Sequence, residues 1–139
     1  VLEILNCKMV QTHFLKPLLG AALLTLFLSL WVGITEAQIL DVQQKGSYLV
    51  VIGDQNRQVS SMSLGSNQEF LGLSSTFFVV RKGSYLYTYD ERSRQIASMP
   101  MGSSDRFRSA AGNYFNVQKG SYIYTYDRHC KQTHTRSAN

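Results

Sequence analysis

The sequence predicts an all-β fold in which one unit of short antiparallel strands, a strand meander, is repeated three times. Lys-Gly-Ser-Tyr recurs at 45–48, 82–85 and 119–122, 37 residues apart each time, and the chain aligns with itself around these copies without a gap. Self-similarity at a fixed period marks one supersecondary unit per copy, which buries its apolar face against its neighbours. The residues after each Gly are aromatic or β-branched, as in Tyr85-Leu86-Tyr87-Thr88-Tyr89, the composition of a strand. Clusters of Gly, Ser, Asn and Asp separate these runs and supply the turns.

Before the first copy, Leu18 to Ile34 is uncharged and strongly apolar, headed by Lys16 and followed by Thr35-Glu36-Ala37. A basic flank, an apolar core and small residues at the −3 and −1 positions read as a secretory signal peptide, with Met9 its start, Val1 to Lys8 upstream of it and cleavage after Ala37. Uncleaved, the same run would anchor the chain in a membrane. Residues 38–139 are then one small domain, with repeats at about 39–75, 76–112 and 113–136. The net charge of +5 stays with that domain, since Lys8 and Lys16 offset Glu3 and Glu36. Cys130 is its one cysteine, so packing and strand ladders must stabilise it without an internal disulfide.

In the middle copy, Phe77 to Arg81, Ser84 to Tyr89 and Gln95 to Met99 read as three strands. Gly83 supplies the positive φ of a tight two-residue turn, which accounts for Gly46 and Gly120 at the same place. The turn that starts at Asp90 needs a left-handed residue late in the loop, at Asn56, Ser93 and Cys130 in the three copies. In the first copy Val50 and Ile52 replace two of the tyrosines, while Leu49 and Val51, Leu86 and Thr88, and Ile123 and Thr125 fill the alternate face. The middle strand of each unit is therefore expected to be central. Gly65 to Thr76 and Gly102 to Asn113, rich in Gly, Ser and Asn, are expected to be covering loops, pinned by Phe70 and Phe107. The polar end of the last copy, Thr133 to Arg136, reads as an edge strand.

With Lys-Gly-Ser-Tyr-(Leu/Ile)-Tyr-Thr-Tyr-Asp in place at 82–90 and 119–127, the chain resembles small bacterial secreted β proteins built from Gly-Ser-Tyr-Ile-Tyr-x-Tyr-Asp repeats, the Septknot-like proteins, over residues 39–136. That resemblance implies three equivalent units wound round one axis and a chain knotted with seven crossings. Tyr89-Asp90 and Tyr126-Asp127 also resemble the YD repeats of bacterial surface and toxin shells, although those are shorter and carry Gly where this chain has Arg92-Ser93 and His129-Cys130. Neither resemblance implies a catalytic residue.

His129, Cys130 and His134 are three soft ligands within six residues, but they lack a fourth ligand and a paired Cys-x-x-Cys spacing, so no metal or other cofactor is expected. Ser103, Ser104 and Asp105 do not form a nucleophile elbow, and the chain is expected not to be an enzyme. Tyr85, Tyr87, Tyr89, Tyr122, Tyr124 and Tyr126 form two rows that serve either as core or as a stacking platform for sugars or single-stranded nucleic acid. Lys45, Lys82 and Lys119, at equivalent positions, complete the candidate ligand surface and would suit an anion. The expected function is that of an exported, non-catalytic structural or binding module, secreted or periplasmic. Its partner would be an anionic polysaccharide, or another chain that pairs with the strand edge at Leu40 to Gln44 or Thr133 to Arg136.

Overall fold

A computed structural model describes residues 37–139; the signal-peptide expectation falls on 1–36, outside the described residues. Eleven strands run β1 (Ile39–Lys45), β2 (Tyr48–Gly53), β3 (Arg57–Ser63), β4 (Gln68–Leu73), β5 (Phe78–Lys82), β6 (Tyr85–Tyr89), β7 (Gln95–Pro100), β8 (Arg106–Ala111), β9 (Tyr114–Lys119), β10 (Tyr122–Asp127) and β11 (Gln132–Ser137). They form three antiparallel sheets whose strands follow chain order, β1-β2-β3, β4-β5-β6-β7 and β8-β9-β10-β11. The fold is all-β, and among the described residues no helix is long and apolar enough to cross a membrane.

The turns form as their residues dictate. Gly46, Gly83 and Gly120 have φ of 59, 57 and 58°, and the Ser that follows each is not left-handed. Positive φ at only the first of two loop residues is the II′ pattern, whose twist matches the flanking strands. Gln44, Arg81 and Gln118 each donate a side-chain hydrogen bond to the carbonyl of their turn glycine, at 3.4, 3.0 and 3.0 Å. The later turn is left-handed at Asn56, Ser93 and Cys130, with φ of 55, 60 and 60°. Its Asp satisfies the loop backbone: Asp90 Oδ1 accepts from the Arg92 and Arg94 N–H groups, and Asp127 Oδ1 from those of His129 and Lys131.

The covering loops are overturned. Gln68–Leu73 and Arg106–Ala111 are strands β4 and β8, each paired to the strand that follows it. Gly-Ser-Asn composition marks only the connections that flank each strand, 65–67 and 74–76 around β4 and 102–105 and 112–113 around β8. Gly72 lies inside β4 for a tertiary reason: a Cβ there would come within 2.8 Å of Phe107 Cε1 on the next sheet. Both strands carry a β-bulge, between Phe70 and Gly72 and between Phe107 and Ser109. Phe70 and Phe107 pack against the core as anchors, but from strands.

Two apolar layers join the three sheets face to face. Val42, Leu49 and Val51 of the first sheet meet Phe78, Val80 and Tyr89 of the second. On the opposite face of the second sheet, Phe77, Val79, Leu86 and Met99 meet Phe115, Val117 and Tyr126 of the third. Strand alternation explains this, because Val79 and Val80 point to opposite faces of one strand and both are fully buried. Hydroxyl groups tie each sheet to the next one's turn: Ser60 donates to the Glu91 carbonyl and Thr88 to the Arg128 carbonyl, both at 2.7 Å. Ser74, buried, donates to the Gly112 carbonyl in the same way.

Candidate functional site

The Lys-Gly-Ser-Tyr turns and the β3–β4 and β7–β8 connections share one end of the three sheets, because the strands alternate in direction and each turn residue is followed by the same backbone contact. Leu64, Met101 and Ala138 donate their N–H to the carbonyls of Ser47, Ser84 and Ser121 at 2.7, 2.8 and 2.9 Å. Across each turn Lys45 faces Tyr48, Lys82 faces Tyr85 and Lys119 faces Tyr122 in register.

Each tyrosine row is graded along its strand. Tyr48, Tyr85 and Tyr122, beside the turns, are 58, 50 and 53 % exposed, whereas Tyr89 and Tyr126, at the far end, are 5 and 7 % exposed. Tyr87 and Tyr124 are half-buried between them. The buried rings stack on phenylalanines, Tyr89 on Phe78 at 5.4 Å and Tyr126 on Phe115 at 5.5 Å, so that end of each row is core. Within these rows the exposed rings therefore lie at one edge, once per sheet, while Tyr114, outside the rows, is 50 % exposed at the opposite end of the third sheet.

The lysines are drawn into the same rows. Lys82 Nζ lies 5.2 Å from the centroids of both Tyr87 and Tyr89, and Lys119 Nζ lies 5.9 and 5.6 Å from those of Tyr124 and Tyr126. Lys119 also reaches Asp105 Oδ2 at 3.9 Å. Lys45 has Val50 and Ile52 where those rings would be, and it is exposed. Two of the three cations thus brace aromatic side chains while remaining at the edge. An open recess of about 360 Å³ lies beside the second turn, lined by Ser66, Asn67, Gln68, Glu69, Arg81 and Gly83. Within it Gln68 Oε1 is buried without a hydrogen-bond partner.

His129, Cys130 and His134 are spread over the last turn and β11, and among the described residues no three His, Cys, Asp or Glu side chains converge. Cys130 packs against the second apolar layer, and its thiol is pushed up to about 11, chiefly by burial; a hydrogen bond with Thr88 opposes this and the Asp127 charge adds to it. A thiol so raised is a poor nucleophile. Asp105, near Ser103 and Ser104, accepts a hydrogen bond from the Gly102 N–H at 2.9 Å and so closes its own turn.

Reading the residues singly missed one feature. Asn116 stands where the first two repeats have Val42 and Val79, Arg136 where they have Met62 and Met99, and Arg108 where the second has Leu71. The face of the third sheet turned away from the second is therefore polar. The signal was present in the repeat alignment, as a loss of apolar character confined to one face of the last copy.

No family model matches the sequence, and no curated protein is similar to it. Among solved structures, the chain is similar to KlHsv2 with loop 6CD replaced by a Gly-Ser linker, at 13 % identity and a TM-score of 0.43, over 73 % of this chain and 40 % of that one. The chain thus spans well under half the length of that neighbour, and the likeness is too slight to inform fold or function.

Proposed function

We propose that the chain is an exported, non-catalytic β-repeat module that binds an extended neutral saccharide along the edge formed by its Lys-Gly-Ser-Tyr turns. The observation that carries this reading is the exposure of Tyr48, Tyr85 and Tyr122, each at half or more, at the same position of three consecutive sheets. The far ends of the same rows are buried, so the exposure is not a consequence of composition. Tyrosine rings set at intervals offer flat apolar faces for stacking on sugar rings, with a hydroxyl for hydrogen bonding at their rim. Residues that would serve chemistry elsewhere are committed to structure here: Asp90 and Asp127 close turns, and Cys130 packs in an apolar layer.

The test replaces all three exposed tyrosines by serine (Tyr48→Ser, Tyr85→Ser, Tyr122→Ser) and screens parent and variant on an array of neutral polysaccharides. The variant is expected to lose binding and to keep a thermal midpoint close to the parent's, since exposed positions contribute little to stability. An unchanged binding profile, or no binding by the parent, would sink the reading.

A further inference from the structure

We infer that the outer face of the third sheet is a docking surface for an anionic polysaccharide. Strand alternation places Asn116, Gln118 and Thr125 on the opposite side from Phe115, Val117 and Tyr126, which pack against the second sheet. The outer strands add three arginines to that outward side. Arg106 pairs with Gln118 in register, Arg136 pairs with Ile123, and Arg108 occupies the position at which Leu71 meets the neighbouring sheet.

All three arginines are exposed, and none takes part in the ion pairs of the described residues, which involve Arg92, Arg94 and Lys119. Arg92 and Arg94, in the turn after β6, lie beside Glu91 and Asp90. A face that needed only solubility would be served by charges of both signs in mutual contact, whereas here the carboxylate on this side, Asp127 opposite Tyr114 in register, is taken up by the His129 and Lys131 N–H groups, and the three arginines pair with no carboxylate among the described residues. Guanidinium forks match carboxylate and sulfate oxygens two bonds at a time, and the amides and hydroxyl between them suit sugar hydroxyls.

Single-stranded nucleic acid fits less well, because base stacking needs several aromatic platforms and Tyr114, at the far end of β9, is the one exposed ring on this side among the described residues. A second copy is also disfavoured. In the interior layers this face meets the opposite face of the next sheet, and the matching face of the first sheet already buries Val50 and Ile52, at 8 and 9 % exposed. The inference is independent of the tyrosine edge, with which it shares no residue.

The experiment measures binding of fluorescent alginate oligomers at fixed ionic strength, with neutral dextran and oligothymidylate as comparison ligands. The triple variant Arg106→Ser, Arg108→Ser, Arg136→Ser is expected to bind alginate at least about tenfold more weakly than the parent. Removing the same charge elsewhere, with Arg57→Ser, Arg92→Ser, Lys131→Ser, is expected to cost less than about threefold. Should the triple variant fail to fold, the single change Arg136→Glu, on the exposed strand β11, supplies the same reading and is expected to weaken binding severalfold. Equal losses in the two triple variants would reduce the effect to net charge and overturn the proposal. So would a parent that prefers oligothymidylate, or one that binds alginate no better than dextran.

Discussion

The second and third sheets are built from the same repeat, and their corresponding faces have opposite fates. On the second sheet Phe77, Val79, Leu86 and Met99 are covered by the next sheet; on the third, Tyr114, Asn116, Ile123 and Arg136 hold the same positions, and no sheet of the described residues lies upon them. Ile123 stays buried, at 6 % exposed, flanked in register by Gln118 and Arg136, while Tyr114 is 50 % exposed. The comparison teaches that the repeat unit fixes backbone and turns, whereas the chemistry of each face follows from what lies against it. Repeat arrays need such a polar outer face on a terminal unit, since an apolar one would template further association.

The sharpest way to break the comparison is to truncate one aromatic position in both sheets. Phe77 is fully buried and edge-on to Phe115, with centroids 6.1 Å apart, so Phe77→Ala is expected to cost about 3 to 5 kcal/mol. At the equivalent place Tyr114→Ala is expected to stay within about 0.5 kcal/mol of the parent. Chemical denaturation of both variants decides it: similar losses would mean that the two faces are equally packed.

A finer comparison uses the threonines. The Thr88 hydroxyl donates across the sheet interface to the Arg128 carbonyl, whereas the Thr125 hydroxyl donates to Asn116 Oδ1 within its own sheet at 2.7 Å. Thr88 is fully buried and Thr125 half-buried, so Thr88→Val, which leaves a part-buried carbonyl without this partner, is expected to cost about 1 to 2 kcal/mol, against a few tenths for Thr125→Val, where solvent replaces the bond. A larger loss at Thr125 would reverse the assignment of covered and bare faces.

The smallest effect concerns Cys130, which the same interface buries. Its thiol is raised from 9.0 to about 11, so the folded state holds the proton more tightly than the unfolded chain. Folded stability is then full below pH 9 and falls as pH rises from 9 towards 11, because the unfolded chain releases the proton first. Relative to a Cys130→Ala variant, the parent is expected to lose stability over that window. Parallel curves for the two proteins would show that the thiol is solvated.

How legible each part was depends on the range of the interaction that decides it. The turns could be read residue by residue: Gly83 and Asn56 adopt left-handed backbone as their chemistry allows, and Asp90 and Asp127 bond the amides two and four residues on. Strands β2, β6 and β10 were evident because they are apolar on both sides. Strands β4 and β8 were not, because Gly72 in β4 reads as a loop residue until Phe107 of the next sheet is seen to need its space. The tyrosine rows could be read as periodic but not as graded. Tyr85 and Tyr89 are the same residue on the same side of one strand, and only distance from the turn edge leaves one exposed and buries the other against Phe78.

By itself, the sequence determined the all-β class, the period, the two kinds of turn and the interior place of β2, β6 and β10, since nearest neighbours along the chain settle backbone conformation and alternation. Only the tertiary structure decided that the second and third sheets have four strands, that each tyrosine row is exposed at its turn end and buried at the other, and that three arginines with no ion pair among the described residues share one face. Those outcomes depend on which surfaces meet, and burial is a property of a pair of surfaces that a strand shares with residues far from it in sequence.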